Sequence, residues 1–440
     1  MMTETEIKKL MAAADRNLLV NTSYPVYPEG FACYRSTKDL FQDTDALGVY
    51  LHVPFCPQRC SFCEYTRFLH NGDEETYYLS LLEEQVQTFL SSHRIRLLYG
   101  LDIGGGTPTV LSDDAFDRLM ILKDRICQLA ETTVPGFRKS IEGSFTTLTD
   151  RKLETMAAHG FHRLSVGLQI CSEVLLERTG RDNGSMEHML HVRQMAASSG
   201  ICRFNVDLMY GLPDLTEQDI SRTISVITLL FPDEVTLYET RFNQNFQSHA
   251  GITRDLQYTQ YSQYFDLLTK AGYHSVFGRN TFSRFPGEMG MSSYLESRML
   301  DGIAYKGFGI SAQSMSPLGL SYGTCKDASV ARMPGIRALY EEYNYALPPE
   351  EIAAKYVSIA LYSGSFRLSA LQRILKADPL RFYDPQFSFL FDHDLAKECK
   401  DGDTVLLTRT GFRYYGAVGA LFWSKDQKKR LLEEMESPKN

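Results

Sequence analysis

Three cysteines fall within one short stretch, Cys56-Pro57-Gln58-Arg59-Cys60-Ser61-Phe62-Cys63, at spacing Cys-x3-Cys-x2-Cys. Thiolates are soft ligands, suited to iron–sulfur clusters. Three of them on a [4Fe–4S] cube leave one iron open, able to hold a small molecule and hand it an electron. The same residues would also serve as three unrelated buried thiols or as part of a zinc site. Structural zinc takes four ligands, usually with a second paired knuckle, and no second Cys-x2-Cys occurs in the chain. Polar and glycine-rich residues follow downstream: Gly104-Gly105-Gly106-Thr107, Glu142, Gln169, Arg181 and Asp207. Glycines let backbone come close to a ligand or turn tightly. A carboxylate can accept hydrogen bonds from a bound ammonium or ribose.

These residues need a scaffold, and the chain supplies an alternating one. Short apolar runs at 49–53, 101–103, 139–141, 163–166, 203–208 and 234–238 read as six strands. Helix-like stretches separate them, among them 74–91, 150–159, 185–198 and 217–230. Such alternation argues for a parallel sheet with right-handed crossovers. Six units predict an α/β fold of incomplete (β/α)6, TIM-like barrel type rather than a closed eightfold one. Sites in such folds lie at the carboxyl ends of the strands, and the cysteine loop, residues 104–107, Glu142, Gly167-Leu168-Gln169 and Tyr210-Gly211-Leu212-Pro213 fall there.

The rest of the chain divides around this core. Residues 1–48 read as an N-terminal arm, with a helix over 4–19 broken by Asn21-Thr22-Ser23-Tyr24-Pro25. Residues 49–345 are taken as the barrel and its extension, including a helix over 258–271 and the glycine-rich Gly307-Phe308-Gly309-Ile310-Ser311-Ala312-Gln313-Ser314. Residues 346–440 are taken as a separate unit. Helices over 350–361, 368–374 and 387–397, then a hairpin of 403–408 with 411–415, predict a small winged-helix-like domain.

The 440 residues are 43% hydrophobic and 23% charged, the balance of a folded globular protein. The net charge of −8 argues against a general nucleic-acid binder. No run of about 18 apolar residues marks a membrane span, and the polar start of the chain lacks a signal-peptide core, so a cytoplasmic location is expected. Nine irregularly spaced cysteines do not form a secreted disulfide framework. The six outside the motif (Cys33, Cys127, Cys171, Cys202, Cys325 and Cys399) are mostly expected to be inert small hydrophobes.

On the cysteine spacing and the ordered motifs behind it, the chain resembles the radical S-adenosylmethionine (SAM) enzymes. Within them it is most similar to the oxygen-independent coproporphyrinogen III oxidase group, with its related methyltransferases, haem-degrading enzymes and haem chaperones. The resemblance implies that Cys56, Cys60 and Cys63 hold a [4Fe–4S] cluster carrying SAM. It sets Phe62 against the adenine, and Tyr50 near both SAM and cluster. It assigns the SAM amino group to the segment Gly104, Gly105, Gly106 and Thr107. Glu142, in Ser140-Ile141-Glu142, takes the ammonium or ribose. Gln169, Arg181 and Asp207 match the family positions in Gly167-Leu168-Gln169, Thr179-Gly180-Arg181 and the segment Val206-Asp207-Leu208-Met209-Tyr210-Gly211-Leu212-Pro213. Gly309 and Ser311 match a segment near a second SAM in that group. The Thr22-Ser23-Tyr24-Pro25 arm matches one that folds over the active site.

The chain also departs from that group. Where coproporphyrinogen oxidases continue past the third cysteine with Gly-Cys, it has Glu64-Tyr65. Their Met-Asp-His-Phe segment corresponds to Gly278-Arg279-Asn280-Thr281-Phe282, and the His-Asn-x-x-Tyr-Trp motif of the haem chaperones is absent. The leading expectation is therefore radical methyl transfer, with a second SAM, to an sp2 carbon of an aromatic or conjugated substrate. The alternatives are oxidative decarboxylation of a coproporphyrinogen-like tetrapyrrole, haem-ring opening, and a non-enzymatic haem chaperone. Tyr50, Glu142 and Arg241 are the residues expected at the reaction. Arg241, and less so Arg279, would meet an acidic substrate, because a guanidinium fork matches a carboxylate. The electron would come from a reductant such as flavodoxin or ferredoxin.

Overall fold

A computed structural model describes residues 3–16, 24, 25, 28–240, 252–323 and 342–436. Its core is a run of six strands, β1 (Ala46–Val53), β2 (Leu97–Gly105), β3 (Lys139–Gly143), β4 (Arg163–Gln169), β5 (Arg203–Tyr210) and β6 (Glu234–Glu239). They pair in chain order and every pair is parallel. The expected strands are all present, each extended by a few residues at one or both ends. Crossover helices α2 (Gly72–Ser92), α3 (Asp113–Leu129), α4 (Asp150–Ala158), α5 (Glu173–Thr179), α6 (Met186–Ser198) and α7 (Glu217–Leu230) connect them. Their starts are set locally. Asn71, Ser112, Thr149, Ser185 and Thr216 each cap an N-terminus through a side-chain oxygen.

A parallel sheet buried on both faces ordinarily reads as continuous apolar sequence. Here the strands alternate instead. One face carries Leu51, Val53, Leu101, Ile103, Ile141, Leu164, Val166, Val206, Leu208, Val235 and Leu237, all inaccessible beneath the helices. The other carries buried polar groups: Asp102, Ser140, Arg163, Ser165, Asn205, Asp207, Glu234 and Thr236. That second face lines the lumen of the partial barrel.

The sheet continues beyond the six strands. β7 (Thr281–Ser283), following α8 (Arg254–Lys270), pairs antiparallel with β6. At the opposite edge β8 (Tyr305–Phe308) lies parallel to β1 as a seventh parallel strand. The meander β9 (Gln313–Ser316), β10 (Gly319–Gly323) and β11 (Glu342–Ala346) and the short strand Arg35–Ser36 complete that side. The result is a mixed, open sheet, not a closed barrel. Helix α9 (Ser293–Met299) packs against the lumen side of β1 and β2. Gly48 and Gly100 make this possible, since a Cβ at either would run into Tyr294. Ser292, which caps α9, donates to Asp102 Oδ2 at 2.5 Å.

The C-terminal elements run α10 (Pro349–Ala360), β12 (Ser365–Arg367), α11 (Leu368–Leu375), α12 (Asp384–Asp392), β13 (Ala396–Glu398) and β14 (Thr404–Leu407). The three strands form an antiparallel sheet in the order β12-β14-β13. This is the winged-helix order, but the expected details shift. The helix expected over 387–397 ends at Asp392, and Asp394 turns the chain with a positive φ of 51° into β13. Residues 411–415 are not a strand. Thr408 caps a short helix, Arg409–Arg413, so β14 pairs with β13 and β12 instead.

Helix α1 (Glu4–Arg16) packs on the terminal helices α13 (Tyr415–Ala420) and α14 (Lys425–Glu436) through Ile7, Leu10, Ala13 and Ala14. Tyr24 is buried against Trp423 and Phe31, with its hydroxyl on Glu351 and Ser424. Thr22 and Ser23 of the arm lie outside the described residues. Of the six other cysteines, Cys33 and Cys202 are exposed rather than buried, and Cys325 lies outside the described residues.

Candidate functional site

The cysteine loop leaves the sheet at the carboxyl end of β1 and is tied at its base. Phe55–Cys56 pairs with Phe68–Leu69, the Phe68 amide donates to Pro54 O at 2.8 Å, and the His70 amide to Cys56 O at 3.0 Å. Arg67 then clamps the loop from within. Its two terminal nitrogens donate to Cys60 O at 2.7 Å and Cys63 O at 2.8 Å. The Ser61 amide donates to Thr179 O at 2.9 Å, fixing the loop to the end of α5. The Cys60 and Cys63 carbonyls are thus committed to Arg67, which fixes the course of the loop. Sequence reasoning passed over Arg67. Two arginines, Arg59 and Arg67, stand in or beside the cysteine loop, and no local signal says which of them clamps it.

Burial pushes the Cys56 thiol up to about 11, opposed by the Thr107 hydroxyl, which donates to its sulfur at 3.7 Å. Burial also raises Cys63, and the three thiols act on one another electrostatically. Metal binding must displace these protons, so loading is pH-dependent. Among the described residues no three His, Cys, Asp or Glu side chains approach closely enough to share one ion. A single zinc, with Zn–S near 2.3 Å, would draw its ligands to about 4 Å from one another. Three soft thiols on one tied loop are a donor set that fits an iron–sulfur cluster.

The glycines beside this loop have distinct tasks. A Cβ on Gly104 would fall inside the Glu142 carboxyl group, and one on Gly105, whose φ is +113°, inside the His52 ring. A Cβ on Gly106 would stand 2.5 Å from Phe55 O. Their smallness is used to pack Glu142, His52 and the cysteine loop against β2. His52 is held neutral, its basicity lowered to about 4 by burial.

Glu142 accepts from the Gly105 amide at 3.1 Å. Its carboxyl is raised to about 7, first by burial and then by the charge of Asp207. Asp207 accepts from Ser165 Oγ at 3.0 Å and Asn205 Nδ2 at 2.7 Å, and burial raises it to about 6. Tyr50 stacks on Tyr294 with ring centroids 5.8 Å apart and lies within electrostatic reach of Glu142. Tyr238 of β6 reaches Asp207 and Glu142 in the same way. Tyr65 joins this group from the cysteine loop, acting on both Tyr50 and Tyr238. Tyr238 and Tyr294 were not picked out from sequence, because an aromatic in a strand or helix reads as core.

Gln169 sits at a bulge against β5 with a positive φ of 69°. Arg181 donates to Gly167 O and to Asn183 Oδ1, and Asn183 in turn holds the carbonyls of Leu168 and Ile170. Arg181 therefore braces the end of β4. Phe62 is half-buried against the core. At β8, Gly309 leaves room for the Tyr78 hydroxyl, and Ser311 Oγ donates to Thr66 Oγ1 at 2.7 Å, so this stretch props the cysteine loop. The structure thus brings Tyr50, Cys56, Cys60, Cys63, Gly104, Gly105, Gly106, Thr107, Glu142 and Asp207 to one end of the lumen. Arg241 lies outside the described residues.

The Radical SAM superfamily profile matches residues 50–227, from β1 into α7. The chain is similar to the heme chaperone HemW of Haemophilus influenzae, 28% identical over 236 residues, covering 52% of this chain and 60% of that protein. It is also similar to the oxygen-independent coproporphyrinogen III oxidase of Bradyrhizobium diazoefficiens, 26% identical over 323 residues, covering 69% and 70%. The match thus spans well short of the full length of these relatives. In fold it is similar to coproporphyrinogen III oxidase from Escherichia coli, which is described as a radical SAM enzyme. The TM-score is 0.68 at 20% identity, over 86% of this chain and 90% of that one. No described helix is long and apolar enough to cross a membrane. The cysteine loop, the lumen behind it and these similarities agree: residues 50–227 match the Radical SAM superfamily, and the chain is similar in sequence to coproporphyrinogen III oxidases and heme chaperones and in fold to a radical SAM enzyme.

Proposed function

We propose that this chain cleaves SAM reductively and directs the resulting radical at a conjugated, tetrapyrrole-like substrate, with methyl transfer from a second SAM as the reaction. The observation that carries the reading is the meeting of the cysteine loop with Glu142 and Asp207 at the carboxyl ends of β1–β5. When bound, a [4Fe–4S] cluster and SAM supply the electron and the 5′-deoxyadenosyl radical. The protein's own part is to bind, orient and exclude water. Cys56, Cys60 and Cys63 would hold the cluster. Glu142 and Asp207 would receive the cationic and hydroxyl groups of SAM, with Gln169 and Arg181 at the edge. Tyr50 and Phe62 would flank it, and Gly309 and Ser311 would lie toward a second molecule. Tyr65, where coproporphyrinogen oxidases carry a further cysteine, favours methyl transfer over decarboxylation.

Oxidative decarboxylation is the second reading. The similarity to the Bradyrhizobium enzyme, over about 70% of both chains, favours it. The test is anaerobic. Reconstituted protein is reduced chemically or by flavodoxin, then given CD3-labelled SAM with coproporphyrinogen III or a cell extract. 5′-Deoxyadenosine together with a labelled product is expected. 5′-Deoxyadenosine with carbon dioxide and no label transfer would move the assignment to decarboxylation. Tight haem binding with no SAM cleavage would move it to a chaperone.

A further inference from the structure

Groups from distant parts of the chain converge on Tyr50. Its register partner on β2 is Asp102, so the two stand side by side on the lumen face. The Asp102 charge acts on both Tyr50 and Glu142. Tyr294 of α9 stacks on the Tyr50 ring, with centroids 5.8 Å apart and planes inclined by 19°. His52, further along β1, meets the Tyr50 ring edge-on at 6.0 Å. Arg298 donates to the Tyr294 hydroxyl at 3.4 Å, and its charge reaches Tyr50 and Asp102.

Asp102 is the anchor of this arrangement. It is buried, and its Oδ1 has no hydrogen-bond partner. Burying a carboxyl with an unpartnered oxygen costs stability, and the backbone ladder makes no use of it. The other oxygen, Oδ2, accepts from the Ser292 hydroxyl at 2.5 Å. Ser292 is itself inaccessible and caps α9 by accepting from the Leu295 amide at 3.1 Å. One hydroxyl therefore sets both where α9 starts over β2 and how its first turn closes. Tyr294 lies in that first turn, over the bare backbone of Gly48 and Gly100. A second tie runs from Ser293 Oγ to Arg138 O at 3.0 Å, just before β3. It is independent of Asp102, so the acid is not needed merely to keep α9 on the sheet.

We propose that Asp102 is a positioning residue of the SAM site: through Ser292 and Tyr294 it sets the plane of the Tyr50 ring. This rests on the reading of Tyr50 as a flank of bound SAM, and it adds the residues that hold the ring in place.

The test begins on the cluster-free protein, labelled with 3-fluorotyrosine and read by fluorine NMR. The Tyr50 resonance is identified by its absence in Tyr50→Leu. Asp102→Leu and Tyr294→Leu should both shift that resonance, because a stacked ring displaces its neighbour's signal. In the cluster-loaded protein the same two variants should weaken SAM binding about fivefold by calorimetry, with iron content unchanged. Asp102→Asn keeps an acceptor for Ser292 and should restore both readouts. If the thermal midpoint shows that Asp102→Leu has failed to fold, Ser292→Ala against Ser292→Thr decides, since threonine retains the hydroxyl. A Tyr50 resonance that stays in place in Asp102→Leu, or in Ser292→Ala, overturns the inference and leaves the reading of Tyr50 intact. So does a shifted resonance with unchanged SAM affinity, where Tyr50→Leu itself weakens SAM. If Tyr50→Leu binds SAM as wild type does, the reading of Tyr50 falls and the inference falls with it.

Discussion

The lumen of the partial barrel holds charge at two levels. At the amino ends of the strands, Arg163 and Glu234 pair at 2.7 Å, almost inaccessible, with Ser140 as a further partner of the arginine. At the carboxyl ends the hydrogen-bond donors are neutral: the Gly105 amide to Glu142, and Ser165 and Asn205 to Asp207. The lower charges are satisfied by the chain itself and hold strands together. Both upper carboxyls are raised by burial, and Glu142 also by the charge of Asp207. Neither upper carboxyl has an ion-pair partner among the described residues, although the Arg163 charge acts on both, and an ammonium or sulfonium ligand would add a cation there.

The largest effect expected concerns what the upper level serves. Cys60→Ala should abolish cluster loading, measured as iron content and visible absorbance of the anaerobically reconstituted protein, with SAM cleavage lost in parallel. A variant that retains four irons and activity would sink the central assignment. Arg163→Met comes next. It strands Glu234 in the lumen and should cost about 3–5 kcal/mol in denaturant unfolding of the cluster-free protein. Glu142→Gln, in the upper level, should not destabilise the protein near neutral pH, because it removes a carboxyl that burial disfavours in its charged form. Equal losses for the two would erase the distinction between levels.

The same pair of variants can be compared against pH. Glu142 is raised from 4.5 to about 7 in the folded protein, so the native state binds more protons than the unfolded state between those values. Stability should therefore fall as pH rises from about 4.5 to 7, at up to about 1.4 kcal/mol per pH unit. Asp207, raised to about 6, acts in the same direction over a lower window. Thermal midpoints of wild type should drop across this range, and those of Glu142→Gln should drop less. A smaller effect is expected for Thr107→Val, which removes the hydroxyl donated to the Cys56 sulfur. Stability should change by less than about 1 kcal/mol. The cluster potential should move to a more negative value, since hydrogen bonds to the sulfurs stabilise the reduced form. An unchanged potential would mean that the contact does not persist on loading.

Much of this site was legible because its signals are local. The cysteine spacing, the glycine run and the polar residue after each apolar run stand close in sequence. A parallel α/β fold gathers all strand ends at one rim, so order along the chain becomes proximity in space. The strands were found for the same reason, as each stands out as a short apolar run between helical stretches. The polar row within them carried the second half of the message, since a parallel strand with a polar face needs a lumen to receive it.

Other features depend on partners far along the chain, and no local pattern encodes them. Ser292 meets Asp102 across 190 residues, and Tyr294 takes the space left by Gly48 and Gly100. Glycine in a strand announces that something comes close without saying what. The run at 307–314 read as a ligand loop, yet its first residues form β8 against β1, and Ser311 braces Thr66. The C-terminal hairpin was placed one strand too late because 411–415 has the composition of a strand, while the Thr408 cap favours helix there. The sequence by itself determined the cysteine loop, the strand order and the row of groups at the strand ends, because those follow from spacing and periodicity. Only the tertiary structure decided which charges are paired and which are left waiting, because an ion pair such as Arg163–Glu234 is a matter of distance between strands that the chain brings together only on folding.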